Sequence, residues 1–227
     1  MTATLTAPGA EATPEEIAPS RGFATRFRHN PAGMVGLVWV GIVVFVAIFA
    51  TTLEPYNPNT LGIQLNHGPT HEHLLGTDSV GRDILSRIIS SAPVELHVCL
   101  LVILLSVVIA VPIGLVAGFF GGWRDGVLMR TMDGLFAFPP LMLALAVAAL
   151  LNPSLTTASI AIAIPFIPGF SRLIRAQVLA AREELYIEAS RSVGVTDRRL
   201  VTRHVLPNVV SPLIVQVALC FGYVMLA

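Results

Sequence analysis

The sequence has no lysine, and all fourteen of its basic residues are arginine. That absence excludes the lysine-containing phosphate-binding loop GxxxxGK[ST] anywhere in the chain, so if nucleotide energy drives this protein, another subunit binds the nucleotide. Charge of either sign is scarce. Only 12% of the 227 residues are charged, against about 25% in a soluble domain. The fourteen acidic residues cancel the arginines, and a net charge of zero suggests neither a nucleic-acid partner nor an acidic substrate. The two cysteines, Cys99 and Cys220, both lie inside apolar runs, where small buried hydrophobes are expected rather than a disulfide or a metal site. No histidine stands with a serine and a carboxylate in a pattern resembling a hydrolytic triad, so the chain does not read as an enzyme.

Hydrophobic residues make up 54% of the chain, and its mean hydropathy is +0.76. With several apolar runs near the ~20 residues that cross a bilayer, this composition predicts an all-α, polytopic helical membrane protein. Residues 1–30 form a tail rich in Ala, Thr, Pro and Glu, without apolar period, and are expected to be disordered. The first span is Gly33 to Leu53. A polar stretch follows to about Ala92, then a second span from about Val94 to Phe120, expected to be broken by Pro112, Gly114 and Gly118. The link GGWRDG leads to a third span with its apolar heart at Leu135 to Leu151. A fourth runs from about Leu155 to Phe170, and a fifth begins at Val209. Pro112, Pro139, Pro140, Pro165 and Pro168 argue against a continuous straight bundle; such prolines are either tolerated between packed helices or mark broken helices that pivot or line a cavity.

Arginine placement orients the chain. The tail, the GGWRDG link with Arg130 just after it, and residues 171–208 carry every arginine except Arg82 and Arg87, and basic residues mark the cytoplasmic face. The N-terminus and the stretch 182–208 are therefore expected inside the cell. That stretch holds five of the fourteen arginines. Leu185, Ala189 and Val193 recur at helical spacing, with Glu184, Glu188 and Arg191 opposite. Gly194 sits where a helix ends in a left-handed residue. Thr196 is placed to cap a second short helix, which Leu206-Pro207 would end. Periodicity leaves two readings open: a face that docks another protein, or an amphipathic segment lying on lipid with Glu188 and Arg191 as a surface pair.

Glu188-Ala189-Ser190, then Gly194, then Leu206-Pro207 resembles the EAA loop of binding-protein-dependent ABC importer permeases. The resemblance implies that Glu188, Ala189, Ser190, Gly194, Leu206 and Pro207 belong to a coupling element seated on a cytoplasmic ATPase, with Ser190 where a second Ala is usual. Gly76-Thr77-Asp78 with Gly81-Arg82-Asp83, Ser86 and Arg87 resembles the GTDxxGRDxxSR signature of the second permease subunit of oligopeptide, dipeptide and nickel importers. Met132-Asp133, Ala137-Phe138-Pro139 and Asn30-Pro31-Ala32-Gly33 fit the same subunit.

The resemblance implies a permease in the cell (plasma or inner) membrane that forms half of a translocation pore. Its partners would be a homologous second permease, two cytoplasmic ATPase subunits and an extracytoplasmic substrate-binding protein. No cofactor is expected in this chain, ATP and Mg being held by the ATPases. The rival class is a secondary transporter or non-transporting scaffold whose 182–208 stretch lies on lipid. Residues 31–227 would be the transmembrane domain, with about five of an expected six spans. The chain stops at Ala227 inside the fifth, so it reads as a truncated product or fragment, and residues 1–227 alone are expected to be transport-incompetent.

Three smaller readings complete the set. Asp78, Arg82 and Asp83 are expected to hold the loop before the second span, Arg82 and Asp83 having different partners, or else to meet the binding protein or line the outer gate. His67, His71 and His73 with Glu72 lack a rigid element to make them a metal site, and His73 is expected to be structural. Asp133 is expected to pair locally with Arg130.

Overall fold

A computed structural model describes residue 27 and residues 29–226; most of the expected disordered tail, residues 1–26 and 28, lies outside the described residues. Every regular element among them is helical, with one isolated bridge between Thr77 and Asp83. Residues up to Phe45 and residues from Val46 onward form two separate compact units.

The first unit is built on helix α1 (Pro31–Ile48). Asn30 starts it: its carbonyl accepts from the Met34 N–H and its side-chain oxygen from the Gly33 N–H, while Pro31 takes the first helical position, where no N–H is needed. The helix is apolar on every face, as one solvated by lipid must be.

In the second unit the short helix α2 (Ala50–Leu53) precedes a folded loop, residues 54–83. Helix α3 (Ile84–Phe120) then runs unbroken for 37 residues. At 1.5 Å per residue that is about 55 Å, well beyond a hydrocarbon core of about 30 Å. It starts ten residues before the expected span because Asp83 caps it, accepting from the Ser86 N–H at 2.8 Å. The expected break at Pro112, Gly114 and Gly118 does not occur. Both glycines instead mark close approach by helix α7 (Ile167–Arg182). A Cβ on Gly114 would lie 2.6 Å from Ile174 Cβ, and one on Gly118 would lie 2.8 Å from Val178 Cβ. Small residues at such spacing let two membrane helices pack backbone to backbone.

Helix α4 (Gly122–Phe136) and helix α5 (Pro140–Leu150) are bent 91° apart at Ala137-Phe138-Pro139. Helix α6 (Leu155–Ala163) continues through a 3₁₀ turn, Ile164–Phe166, into α7, which absorbs Pro165 and Pro168. Ser106 Oγ lies 3.0 Å from the Ala163 carbonyl, Gly114 faces Ser171, and Gly118 faces Arg175 and Val178. Partner numbers rise together, so α3 and α6–α7 run parallel. Two parallel neighbours require a return crossing between them, and only α4–α5 can supply it. Among the described residues four helices are long and apolar enough to span a membrane, or five if the bent pair is one broken span.

The main core lies between α3 and α7, where Ala110, Phe119, Phe170, Ile174 and Val178 are buried. Helix α8 (Leu185–Ser192), helix α9 (Asp197–Leu200) and helix α10 (Leu206–Met225) add Ile187, Leu200, Val209 and Cys220 to it. Cys99 packs in a separate cluster with Val102, Ala163 and Val224, so the two thiols serve as apolar filling.

Candidate functional site

The stretch after α7 begins with a break at Glu184, whose extended backbone (ψ 136°) opens α8. A helix of eight residues is marginal alone and needs an anchor. Ile187, 1% exposed, is that anchor, packed with Leu200 and Val205. The face read from sequence as apolar points the other way: Leu185 is 81% exposed and Val193 80%, with Glu188 and Ala189 beside them. Ser190 is half-buried, its hydroxyl donating back to the Tyr186 carbonyl. The helix thus presents an apolar surface edged by one carboxylate.

Gly194 ends the helix as expected, at φ +83°. The Gly194 N–H donates to the Arg191 carbonyl and the Val195 N–H to the Ser190 carbonyl, the paired closure of a Schellman turn, and Val195 packs on the core. Thr196 precedes α9, but its side chain makes no capping bond. Nor does Leu206-Pro207 end the segment. A π-helical turn, Val201–Val205, carries the chain straight into α10, the Leu206 N–H donating to the Val201 carbonyl. Pro207 has no N–H to give, and the wider turn ahead of it relieves the clash its ring would make with the preceding carbonyls.

Polar contacts fix α8 on both flanks. Arg191 does not pair with Glu188; its guanidinium lies 5.2 Å over the Phe119 ring and 3.8 Å from Asp197. Arg182 donates to the Phe119 carbonyl at 3.2 Å. On the other flank, Asn208 Nδ2 donates to the Tyr186 hydroxyl at 2.7 Å. Glu188 has no ion-pair partner among the described residues.

Two ion pairs that sequence spacing missed join α4 to α7. Arg175 grips both oxygens of Asp125, Nε and Nη2 each donating at 2.6 Å. Asp133 pairs with Arg172 at 2.6 Å rather than with Arg130, and Arg172 also lies over the Phe136 ring. Partners 39 and 50 residues away lie beyond any local rule, and the i,i+3 rule had offered Arg130 instead.

At the opposite end of α3 the signature residues form a hydrogen-bonded cap. Gly76 and Gly81 adopt φ near +80°, and a side chain on either would strike the carbonyl of His67 or Gly62. Thr77 is buried, its hydroxyl donating to the Gln64 carbonyl and accepting from the His67 N–H. Asp78 accepts from the backbone N–H groups of Val80 and Arg82 and from the guanidinium groups of Arg82 and Arg87. Burial works to raise its pKa, but the Arg82 and Val80 amides and the two guanidinium groups outweigh it and hold the carboxyl far below the usual range. Asp83 is likewise lowered, burial being outweighed by Ser86 and by His73, whose Nδ1 lies 3.0 Å from Oδ1. Arg82 and Asp83 therefore have different partners, and His73 takes part in the cap. Among the described residues no three His, Cys, Asp or Glu side chains converge as metal ligands.

Residues 110–227 match the model of a family described as the binding-protein-dependent transport system inner membrane component. Residues 19–70 match the N-terminal transmembrane domain of oligopeptide transport permease C. The dipeptide transport system permease protein of Alkalihalophilus pseudofirmus is 38% identical over 208 residues, covering 91% of this chain and 68% of that protein. The glutathione transport system permease protein of Pectobacterium atrosepticum is 36% identical, covering 90% of this chain and 68% of that protein. Its Escherichia coli counterpart is 37% identical, covering 92% and 70%.

Proposed function

This chain belongs to the binding-protein-dependent transport inner membrane component family, as a multi-pass permease subunit of an ATP-driven importer rather than an ATPase, and from that premise we propose that α8 is its docking element. The observation that carries the proposal is the orientation of α8. Ile187 holds it from behind, so Leu185, Glu188, Ala189 and Val193 face outward with no cover from the described residues. An exposed apolar face of that size on a short, anchored helix fits the groove of another protein.

In this reading the α8 side and the N-terminus face the cytoplasm, where two ATPase subunits bind ATP and Mg. A homologous second permease completes the pore, and an extracytoplasmic binding protein delivers substrate near the cap formed by Gly76, Thr77, Asp78, Gly81, Arg82 and Asp83. Gly194, Leu206 and Pro207 shape the docking element rather than touch the ATPase. The substrate proposed is a short peptide, supported by the dipeptide and glutathione permeases among the relatives.

Co-purification of the ATPase subunits tests the docking assignment. Glu188→Lys reverses the one charge on the exposed face, and Gly194→Asp strains the closing turn. Each is expected to weaken ATPase association at least tenfold. Association that survives both, or α8 peptide binding to anionic vesicles without any ATPase association, would assign α8 to lipid instead.

A further inference from the structure

Phe119 is held twice, once by the last residue of α7 and once by α8. Its carbonyl is one of the last four of α3, which have no donor within the helix, and Arg182 supplies one at 3.2 Å. Its ring, 3% exposed, receives the Arg191 guanidinium at 5.2 Å. Arg182 ends α7 and Arg191 lies in the last turn of α8, so both arms of the break at Glu184 close on one residue. Cations at this end also oppose the partial negative charge of the α3 C-terminus.

The other end of α3 is Asp83, inside the cap of residues 54–83. One unbroken 37-residue helix therefore joins the residue that α8 grips to the loop on the far side. Neither Pro93 nor Pro112 interrupts it, and the close fit of Gly114 and Gly118 against α7 stiffens its second half.

We infer that Arg191 is a positioning residue for coupling: its seat on Phe119 passes displacement of α8 to α3, and α3 carries it to the outer cap. The inference rests on the reading of α8 as the ATPase-docking helix. Arg191 touches no substrate, and its exposed partner Asp197 at 3.8 Å is too distant for a hydrogen bond. The Phe119 ring is thus its defining contact.

Val80, 39% exposed on the cap, provides a reporter, and the native thiols Cys99 and Cys220 are buried at 0% and 4%. The assembled importer carrying Val80→Cys is labelled with a membrane-impermeant maleimide, with and without ATP plus vanadate. ATP plus vanadate is expected to change the labelling rate. Arg191→Met and Phe119→Leu are each expected to shrink that change about threefold, the scale of an exposed cation–π contact. Arg191→Lys should keep most of it, and the double variant should be no worse than either single. ATPase subunits and basal ATP hydrolysis should persist in all of them.

A full ATP-dependent change in both single variants with ATPases bound overturns the inference. So does the absence of any change at Val80→Cys in the otherwise unaltered importer. Loss of ATPase binding in both variants would make the contact part of the docking surface and overturns it too. ATPases that fail to bind the unaltered chain would instead refute the docking assignment itself.

Discussion

Replacing Asp125 by Asn should loosen α4 from α7 by a predictable amount. Arg175 makes two charge-assisted bonds to Asp125, each 2.6 Å, with the side chains 34% and 20% exposed. A fully exposed pair is worth at most about 1 kcal/mol. Breaking a fully buried one costs about 3–5 kcal/mol, because a charge is left without a partner. The observed exposure places this pair between those limits. The Asn oxygen still accepts one bond, so the loss is about 2 kcal/mol. For a domain of this size, about 2–4 °C is lost per kcal/mol, which predicts a melting shift of about 4–8 °C for the purified chain in detergent. The exchanged pair Asp125→Arg with Arg175→Asp should recover at least half of the loss. A shift within about 1 °C for Asp125→Asn, or additive losses for Asp125→Asn and Arg175→Gln combined, would refute the argument.

Asp133→Asn makes the control, because its pair with Arg172 is 62% and 42% exposed; the same melting assay should move by less than about 2 °C. Gly114→Val and Gly118→Val should each disrupt α3–α7 packing, since even a Cβ lies within 2.9 Å of backbone or branched atoms. A cost of at least about 3 kcal/mol is expected, visible as loss of the folded species in size-exclusion chromatography. Asp78 supplies a pH signature. Its folded carboxyl lies below the ordinary value of 3.8, so its stabilisation of the cap is complete above that value and is lost as pH falls below it toward the folded pKa. Hydrogen exchange in residues 54–83 should therefore be faster in Asp78→Asn at pH 7, with the difference shrinking below about pH 4.

Hydropathy made the membrane class and the run of spans legible, because apolar length is a sum over many residues. Gly194 was legible alone, since the left-handed closure of a helix singles out one residue type. Ile187 was not, because a helix of two turns with one inward residue has no period to detect, and Leu185, Ala189 and Val193 supplied a clearer but outward-facing one. Arg172 and Arg175 could be recognised as charges near a membrane helix, but their partners depend on how α4 returns across α3 and α7. Asp83 with Ser86 did carry a capping signal for the early start of α3, hidden by the polar Ser90, Ser91 and Glu95 that follow.

The prolines show where stiffness and bending are divided. Pro112 has no proline beside it in α3 and is exposed, with Val108, whose carbonyl it disturbs, 58% exposed as well. The distortion falls on the face away from α7, and the buried face of Ala110, Gly114 and Gly118 keeps its register. Pro139 and Pro140 are adjacent, and the second forbids the first a helical backbone, leaving Pro139 at ψ 130°. No helix continues through that pair whatever packs on it. The break lies in a crossing whose first half, α4, is held to α7 by two ion pairs, Asp125–Arg175 and Asp133–Arg172, and to the main core by the buried Met132. An apolar cleft of about 310 Å³ lined by Pro140, Leu141, Ile162, Pro165, Phe166 and Tyr223 lies beside it. Helix α5, beyond the double proline, buries no side chain, so it can turn about the break without disturbing the core that holds Met132 of α4. On the proposed coupling through Phe119, α5 is the element free to lag, while Met132 and the two ion pairs keep α4 with α7.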